Sequence, residues 1–323
     1  MLRRLTCALF LFTSLLTGCK HEMNRDEADR SLKVLNSNLI NLVTNASDKP
    51  ELEALHFLLT EPSSPIYLLR TNSLFLADSV KKLSDRNKGK FNWDQDRKTF
   101  VRKDGSDNLE LNFSVGKQMD VNAEFVINDY KSEDCNNHIG FPVLMDAKIL
   151  IEKLDKLTIA HHAVIKDHFP LEIKSLIKGV DYQFELNLHR TRDGNKGSIQ
   201  MDFNILANGY IICSADIKTK IEYTKDGYYF TYFDFEIELI DHQIKGKIDY
   251  AKIDPTAGNY IDLFNEYSEI IISEVYGKKV GNIVLGLSGD GELLDYFINF
   301  NNGEKILLSN YIPLIKKVLD YKY

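Results

Sequence analysis

Apolar and polar residues alternate along most of the chain beyond Gly89, with the period of two that is typical of β-strands. Between Leu109 and Val115, every second side chain is apolar and the side chains between them are Glu, Asn and Ser. The same alternation predicts strands over 109–115, 121–127, 182–188, 199–205, 217–223, 231–239, 244–250, 283–287 and 296–300. Polar turns such as Asp193-Gly194 and Asn208-Gly209 separate these runs. We therefore expect an antiparallel meander with one apolar face and one polar face.

The segments on either side of this sheet follow a helical period instead. Apolar residues spaced by three and four predict helices within 31–88, between Tyr260 and Val275, and from about Ser309. The apolar face of the sheet must be covered, because exposed apolar area costs about 25 cal/mol per Å². Flanking helices, a curl of the sheet on itself or a bound ligand could each provide this cover. Of these we expect the helices, so the predicted fold class is α+β, an antiparallel meander sheet with N-terminal helices and C-terminal helices packed on one face.

The first nineteen residues have the organisation of an export signal. Two arginines precede an apolar run over residues 5–16, and a run of about twelve residues is too short to cross a bilayer as a helix. The run leads into Leu16-Thr17-Gly18-Cys19. This motif resembles the lipobox of bacterial lipoproteins, which implies that the chain is cut before Cys19 and that this cysteine is then acylated. The alternative is an ordinary secretory signal with a cysteine that is there by chance.

The lipobox resemblance sets the expected location and organisation of the chain. Its implied partner is the lipid bilayer, contacted through acylated Cys19, and Lys20 rather than an acidic residue after it favours the outer membrane. Residues 1–18 are then the signal peptide, and the polar residues 19–30 form a tether that reaches about 35–40 Å when extended. Residues 31–88 form a helical segment, and 89–323 form a β-rich body with C-terminal helices.

Composition narrows the function classes. The chain has 323 residues, of which 44% are hydrophobic and 27% charged, and its formal net charge is −7. The acidic balance argues against a nucleic-acid partner, which would require a basic surface. The aromatic share of 11% argues against a disordered chain. We expect no cofactor.

Histidine and cysteine positions do not form a recognisable reactive centre. His161 and His162 are adjacent, so in a strand they point to opposite faces and cannot share one metal ion; in a helix they still lack a third ligand at a known spacing. Cys135 and Cys213 could form a disulfide in an exported protein, although Cys213 could equally be a small buried apolar residue. We assign no catalytic residue and no metal site.

One strand face offers a candidate surface for a ligand or protein partner. Asp234 and Glu236 share one face of the predicted strand 231–239, and aromatic residues lie close to them in sequence. Exposed aromatic rings beside carboxylates suit recognition of a carbohydrate or a protein. The candidate residues are Trp93, Tyr229, Tyr232, Asp234 and Glu236. The alternative is an ordinary solvated face of a sheet.

These observations favour a role in binding over a role in catalysis. We expect a membrane-anchored envelope lipoprotein that acts as a binding or scaffolding module for an envelope protein or a glycan. The alternative function is a carrier of lipid or another hydrophobic ligand in a cavity between a curved sheet and helices. In architecture, such a molecule would resemble the bacterial carriers of lipids and lipoproteins.

Overall fold

A computed structural model describes residues 22–61, 88–116, 118–135, 138–167, 169–224, 227–275, 277–289 and 293–312. Four predicted features lie wholly or partly outside these residues: the predicted signal peptide, the lipobox-like motif with Cys19, part of the predicted helical segment 31–88 and most of the predicted C-terminal helix. Within the described part of the chain, no helix combines the length and the apolar character that crossing a bilayer requires.

The described residues form three α-helices and sixteen strands. The helices are α1 (Arg25–Ser47), α2 (Pro50–Thr60) and α3 (Tyr260–Glu266). The strands are β1 (Gly89–Asp94), β2 (Thr99–Asp104), β3 (Leu109–Val115), β4 (Val121–Cys135), β5 (His138–Ile151), β6 (Leu154–Lys166), β7 (Phe169–Gly179), β8 (Tyr182–Asp193), β9 (Lys196–Ala207), β10 (Tyr210–Tyr223), β11 (Tyr228–Leu239), β12 (His242–Ile248), β13 (Ser268–Glu274), β14 (Lys279–Ser288), β15 (Leu293–Asn299) and β16 (Lys305–Leu307). Residues 25–30, expected in the tether, form the first turns of α1.

The strands follow one hydrogen-bonded order from β16 through β3, and this order ends with β1 and then β2. Strands β1 and β3 run parallel; neighbours such as β8 and β9 are antiparallel. The expected antiparallel meander is confirmed, but the predicted α+β class is wrong. The protein is mainly β, because segments that were not recognised as strands extend the sheet instead of forming helices upon it.

Two features explain why the alternation of apolar and polar residues did not predict these strands. Residues 138–179 form β5, β6 and β7, where bulges and Pro142 and Pro170 interrupt the regular alternation. The helix predicted from Tyr260 ends at Glu266, and β13 begins at Ser268. Residues 270–272 of β13 are three consecutive isoleucines, and β-branched side chains favour a strand over a helix.

The chain divides into two compact units, and residues 39–231 form the larger one. Its core joins α2 to the apolar faces of β3, β4, β5 and β6, with Leu58, Leu111, Phe125 and Ile149 completely buried. Farther along the sheet, in β8, β9 and β10, most side chains on both faces are only partly buried. Among the residues that the structure describes, the helical covering of this unit therefore lies over one end of its sheet.

The smaller unit combines the described residues within 1–38 and 232–323. Helix α1 supplies buried apolar residues to it, including Leu32 and Leu35. Strands β12 and β13 supply Ile244 and Ile272, which are paired across the two strands. Helix α3 adds Phe264, so this unit has a core of its own.

Candidate functional site

A pocket of about 600 Å³ lies in the larger unit. It is partly open, and side chains of the β1, β3 and β4 strands and of three turns line it. Its lining consists of Asn92, Trp93, Gln95, Asn112, Phe113, Ser114, Met119, Asn122, Ala123, Glu124, Glu152 and Lys153. The volume falls within the range of small-molecule binding sites.

The strand register explains why these polar side chains come together. Asn112 pairs with Asn92 on β1 and with Glu124 on β4, and Ser114 pairs with Asn122. Alternate residues of β3, such as Leu111 and Phe113, are buried in the core. The polar positions of three neighbouring strands therefore line up on the face opposite the core. The Asn112 Nδ2 group donates to Asn92 Oδ1 at 3.4 Å.

Trp93 belongs to this pocket and also to the hydrophobic core. Its ring makes edge contacts with Phe57 and Phe100, with centroid separations of 5.1 and 5.2 Å. Its indole N–H donates to Gln95 Oε1 at 2.8 Å. The side chain is therefore held in one orientation by its core contacts and by this hydrogen bond.

Charged groups around the pocket are partly neutralised. Beside it, Lys90 Nζ contacts Glu110 Oε2 at 2.8 Å. Burial alone would raise the pKa of Glu110, but hydrogen bonds from Lys90 and Ser106 lower that pKa below its ordinary value. Glu152 Oε1 accepts the backbone N–H of Asn122 at 2.8 Å and so holds the turn that closes one side of the pocket. The lining carries carboxylates and a lysine, with amide and hydroxyl groups between them.

The structure does not bring the five predicted face residues into one site. Trp93 lies on β1, whereas Tyr229, Tyr232, Asp234 and Glu236 lie on β11. Eight strands separate β1 from β11 in the sheet order. The Tyr229 hydroxyl donates to Glu222 Oε2 at 2.6 Å, and this hydrogen bond raises the pKa of Tyr229.

The two predicted acidic positions on β11 are matched by lysines on β12. The register pairs Glu236 with Lys245 and Asp234 with Lys247. The separations are 2.8 Å for Glu236 Oε1 to Lys245 Nζ and 4.0 Å for Asp234 Oδ2 to Lys247 Nζ. Cross-strand partners reduce the charge that this face could offer to a cation or a basic protein.

The histidine pair lies on β6, so its members point to opposite faces of that strand. The His161 Nδ1 atom is 2.8 Å from Ser175 Oγ, and its Nε2 atom is 3.0 Å from the Pro142 carbonyl oxygen. Burial lowers the pKa of His161, against a smaller opposite effect of the Pro142 carbonyl. This ring is neutral at pH 7 and satisfied by the sheet.

The two cysteines of the predicted disulfide lie on different parts of the sheet. Cys213 is on β10 and its thiol is free. Burial raises the pKa of this thiol, which disfavours the reactive thiolate. The side chain of Cys135 lies outside the described part of the structure.

The smaller unit contains a serine, histidine and carboxylate cluster that the sequence pattern did not reveal. Ser31 Oγ on α1 is 2.9 Å from His242 Nε2, and His242 Nδ1 is 2.7 Å from Asp241 Oδ1. The Ser31 hydroxyl also donates to Glu274 Oε1 at 2.9 Å. His242 is 1% exposed. Asp241 and His242 are adjacent in sequence, but Ser31 lies 211 residues from His242 and 243 residues from Glu274, so the fold brings the cluster together.

The hydrogen bonds of this cluster indicate a structural role. A nucleophilic serine passes its proton to the histidine, whereas the Ser31 hydroxyl is shared between His242 Nε2 and Glu274 Oε1, each at 2.9 Å. Ser31 also lies inside α1, where backbone N–H groups are used by the helix and are not free to stabilise an oxyanion. The cluster instead fastens α1 to β12 and β13.

We expect the Ser31→Ala variant to lower the free energy of unfolding of the smaller unit by about 1–3 kcal/mol. The substitution leaves a buried imidazole nitrogen and a carboxylate oxygen without their partner. Hydrogen exchange of the amides of β12 and β13 measures the effect. A Ser37→Ala variant, at an exposed position of the same helix, is the control and should change stability by less than about 0.5 kcal/mol. Equal protection in the two variants would show that the cluster does not stabilise this unit.

Among these groups of residues, the pocket on β1, β3 and β4 combines a concave volume with several hydrogen-bonding side chains. The Ser31 cluster is internally satisfied, and the acidic positions of β11 are paired with lysines. The pocket is therefore the candidate binding site. Comparison of the chain with protein-family models, with curated proteins and with solved structures finds no match.

Proposed function

We propose that this protein is a binding module of the bacterial envelope, held to the membrane by lipid on Cys19, and that its ligand site is the pocket on β1, β3 and β4. The observation that carries the proposal is the alignment of amide side chains around a pocket of about 600 Å³. The lipid anchor rests on the lipobox resemblance, and the outer membrane is the location that Lys20 favours.

The lining favours a neutral ligand that is rich in hydroxyl groups. Each asparagine or glutamine side chain offers both donors and an acceptor, which matches hydroxyl groups that can also donate and accept. Trp93 also lines the pocket. A glycan of the envelope has this chemistry.

The same lining disfavours the alternative of a lipid carrier at this position. Acyl chains cannot form hydrogen bonds with the side chains of Asn92, Asn112 and Asn122, and covering those groups without partners costs about 1–3 kcal/mol each. A lipid-binding cavity would have walls of aliphatic and aromatic residues. The pocket therefore supports a polar ligand.

The single tryptophan of the chain makes the proposal directly testable, because Trp93 lines the pocket. We expect neutral chito-oligosaccharides or malto-oligosaccharides to change Trp93 fluorescence in a saturable manner when titrated into the full-length mature protein. The Asn112→Ala variant should raise Kd about tenfold, because one net hydrogen bond contributes about 1.4 kcal/mol.

The matched control is Gln200→Ala, an exposed amide on β9 of the same unit. This variant should bind with unchanged Kd. No saturable change with any of these oligosaccharides, or equal loss of binding in the two variants, would contradict the proposed ligand class.

A further inference from the structure

The N-terminal residues next to the proposed lipid site are fastened to the smaller unit. Glu22 forms a parallel bridge with Lys279, and the backbone N–H of Met23 donates to the Lys279 carbonyl at 2.8 Å. The Lys279 ammonium also forms an ion pair with the Glu22 carboxylate. Met23 is 4% exposed. The chain is thus part of the folded body from Glu22 onward.

The start of α1 strengthens this attachment. Arg25 Nε donates to Glu304 Oε2 at 3.0 Å, and its guanidinium carbon lies 4.4 Å from the centre of the Phe300 ring. One turn later, Asp29 Oδ1 accepts the Tyr311 hydroxyl at 2.8 Å. These contacts join residues 22–29 to the segment that follows β15.

The contacts lie at one end of the strands of the smaller unit. Lys279 is the first residue of β14, and Phe300 directly follows the last residue of β15, its antiparallel neighbour. The opposite end of the same pair carries Ser288 and Leu293. Strand β14 has ten residues, so the two ends are about 30 Å apart.

Only residues 20 and 21 separate Cys19 from Glu22. Three Cα-to-Cα steps span at most about 11 Å. A free tether over residues 19–30 would allow a separation of about 35–40 Å between the lipid and the folded body. From Glu22 onward, however, those residues are held by the fold. The lipid and this end of the smaller unit must therefore be close together.

We propose that, in the lipidated protein, the end of the smaller unit formed by residues 277–278 and 300–304 rests against the headgroups of the bilayer. The inference depends on the proposed lipid on Cys19 and adds to it a specific membrane-facing surface. The partner is the lipid surface itself. The short link holds residues 300–304 at the headgroups. The opposite end of β14, at Ser288, lies up to about 30 Å farther from the bilayer.

Fluorophores at the two ends of β15 test this arrangement. Asn301→Cys and Leu293→Cys are each made in a chain carrying Cys135→Ser and Cys213→Ser; both target positions are exposed. Each labelled lipoprotein is reconstituted into phosphatidylethanolamine and phosphatidylglycerol vesicles that contain an energy acceptor on the lipid headgroup. We expect energy transfer at position 301 to be at least three times that at position 293.

Two controls separate the possible outcomes. Inserting twenty Gly and Ser residues between Lys20 and His21 adds a reach of about 25 Å, and should bring the two transfer efficiencies together. Flotation of the vesicles tests the lipid anchor itself, with Cys19→Ala as the unlipidated reference. Failure to float overturns the proposed anchor. Flotation with equal transfer at 301 and 293, or with stronger transfer at 293, overturns only the membrane-facing surface.

Discussion

Replacing Arg190 with methionine should lower the free energy of unfolding of the larger unit by about 3–4 kcal/mol. Arg190 lies on β8 and is 2% exposed. Its Nε group donates to the Pro170 carbonyl at 2.9 Å, its Nη2 group to the Lys166 carbonyl at 2.8 Å, and its Nη1 group to the Tyr223 hydroxyl. Methionine fills similar space but leaves these acceptors unpaired, and each unpaired buried group costs about 1–3 kcal/mol.

Urea denaturation followed by Trp93 fluorescence measures this effect, since the single tryptophan lies in the same unit. The Arg192→Met variant is the control. Arg192 is on the same strand, but its side chain is 41% exposed and stacks on the outside of Tyr223 at 4.3 Å. We expect a loss below about 1 kcal/mol there. Similar losses in the two variants would mean that the buried hydrogen bonds of Arg190 contribute little.

Replacing Gly246 with valine should destabilise the smaller unit by about 2–3 kcal/mol. Gly246 on β12 is paired with Phe235 on β11, and the aromatic ring lies over the glycine. A Cβ atom at position 246 would lie 2.7 Å from Cε1 of Phe235, so the ring would have to leave its place. Forcing extra carbon atoms into a filled site typically costs about 1–3 kcal/mol.

A double-mutant cycle identifies the cause of this loss. With Phe235→Ala as the second change, the double variant should be at least about 1 kcal/mol more stable than the sum of the single effects predicts, because valine then occupies space that the ring has left. Hydrogen exchange of β12 amides provides the readout. Gly258→Val is the control, since no atom lies within 4 Å of a Cβ added there. Strict additivity would show that the Phe235 ring is not what opposes valine.

The sequence predicted those parts of the fold that local chemistry determines. The strand 109–115 coincides with β3. The turn Asn208-Gly209 links β9 to β10, and both of its residues have positive φ, 51° and 79°, as a two-residue hairpin turn requires. Alternation and turn residues act within a few positions, so both can be read directly from the chain.

Features that depend on distant residues could not be predicted in the same way. The run from Tyr260 fits a helical spacing as well as a helix followed by a strand, and pairing of β13 with β12 decides between them. The pocket had a weak local signal, because Asn92, Asn112 and Asn122 occupy polar strand positions. Their common face follows only from the register of β1, β3 and β4. The Ser31 cluster could not be predicted from any short sequence motif.

Because the chain is synthesised from its N-terminus, the two units can complete their folding at different times. From β4 to β10, each strand pairs with the one made just before it, so the larger unit can assemble as the chain grows. Helix α1 is made early, yet its bonds to His242 and Glu304 span 211 and 279 residues. Until residues 232–323 follow, Leu32 and Leu35 have no completed core to enter. The nascent polypeptide therefore carries an unshielded leucine stripe near its leading end, and shielding by a chaperone is most valuable during that interval.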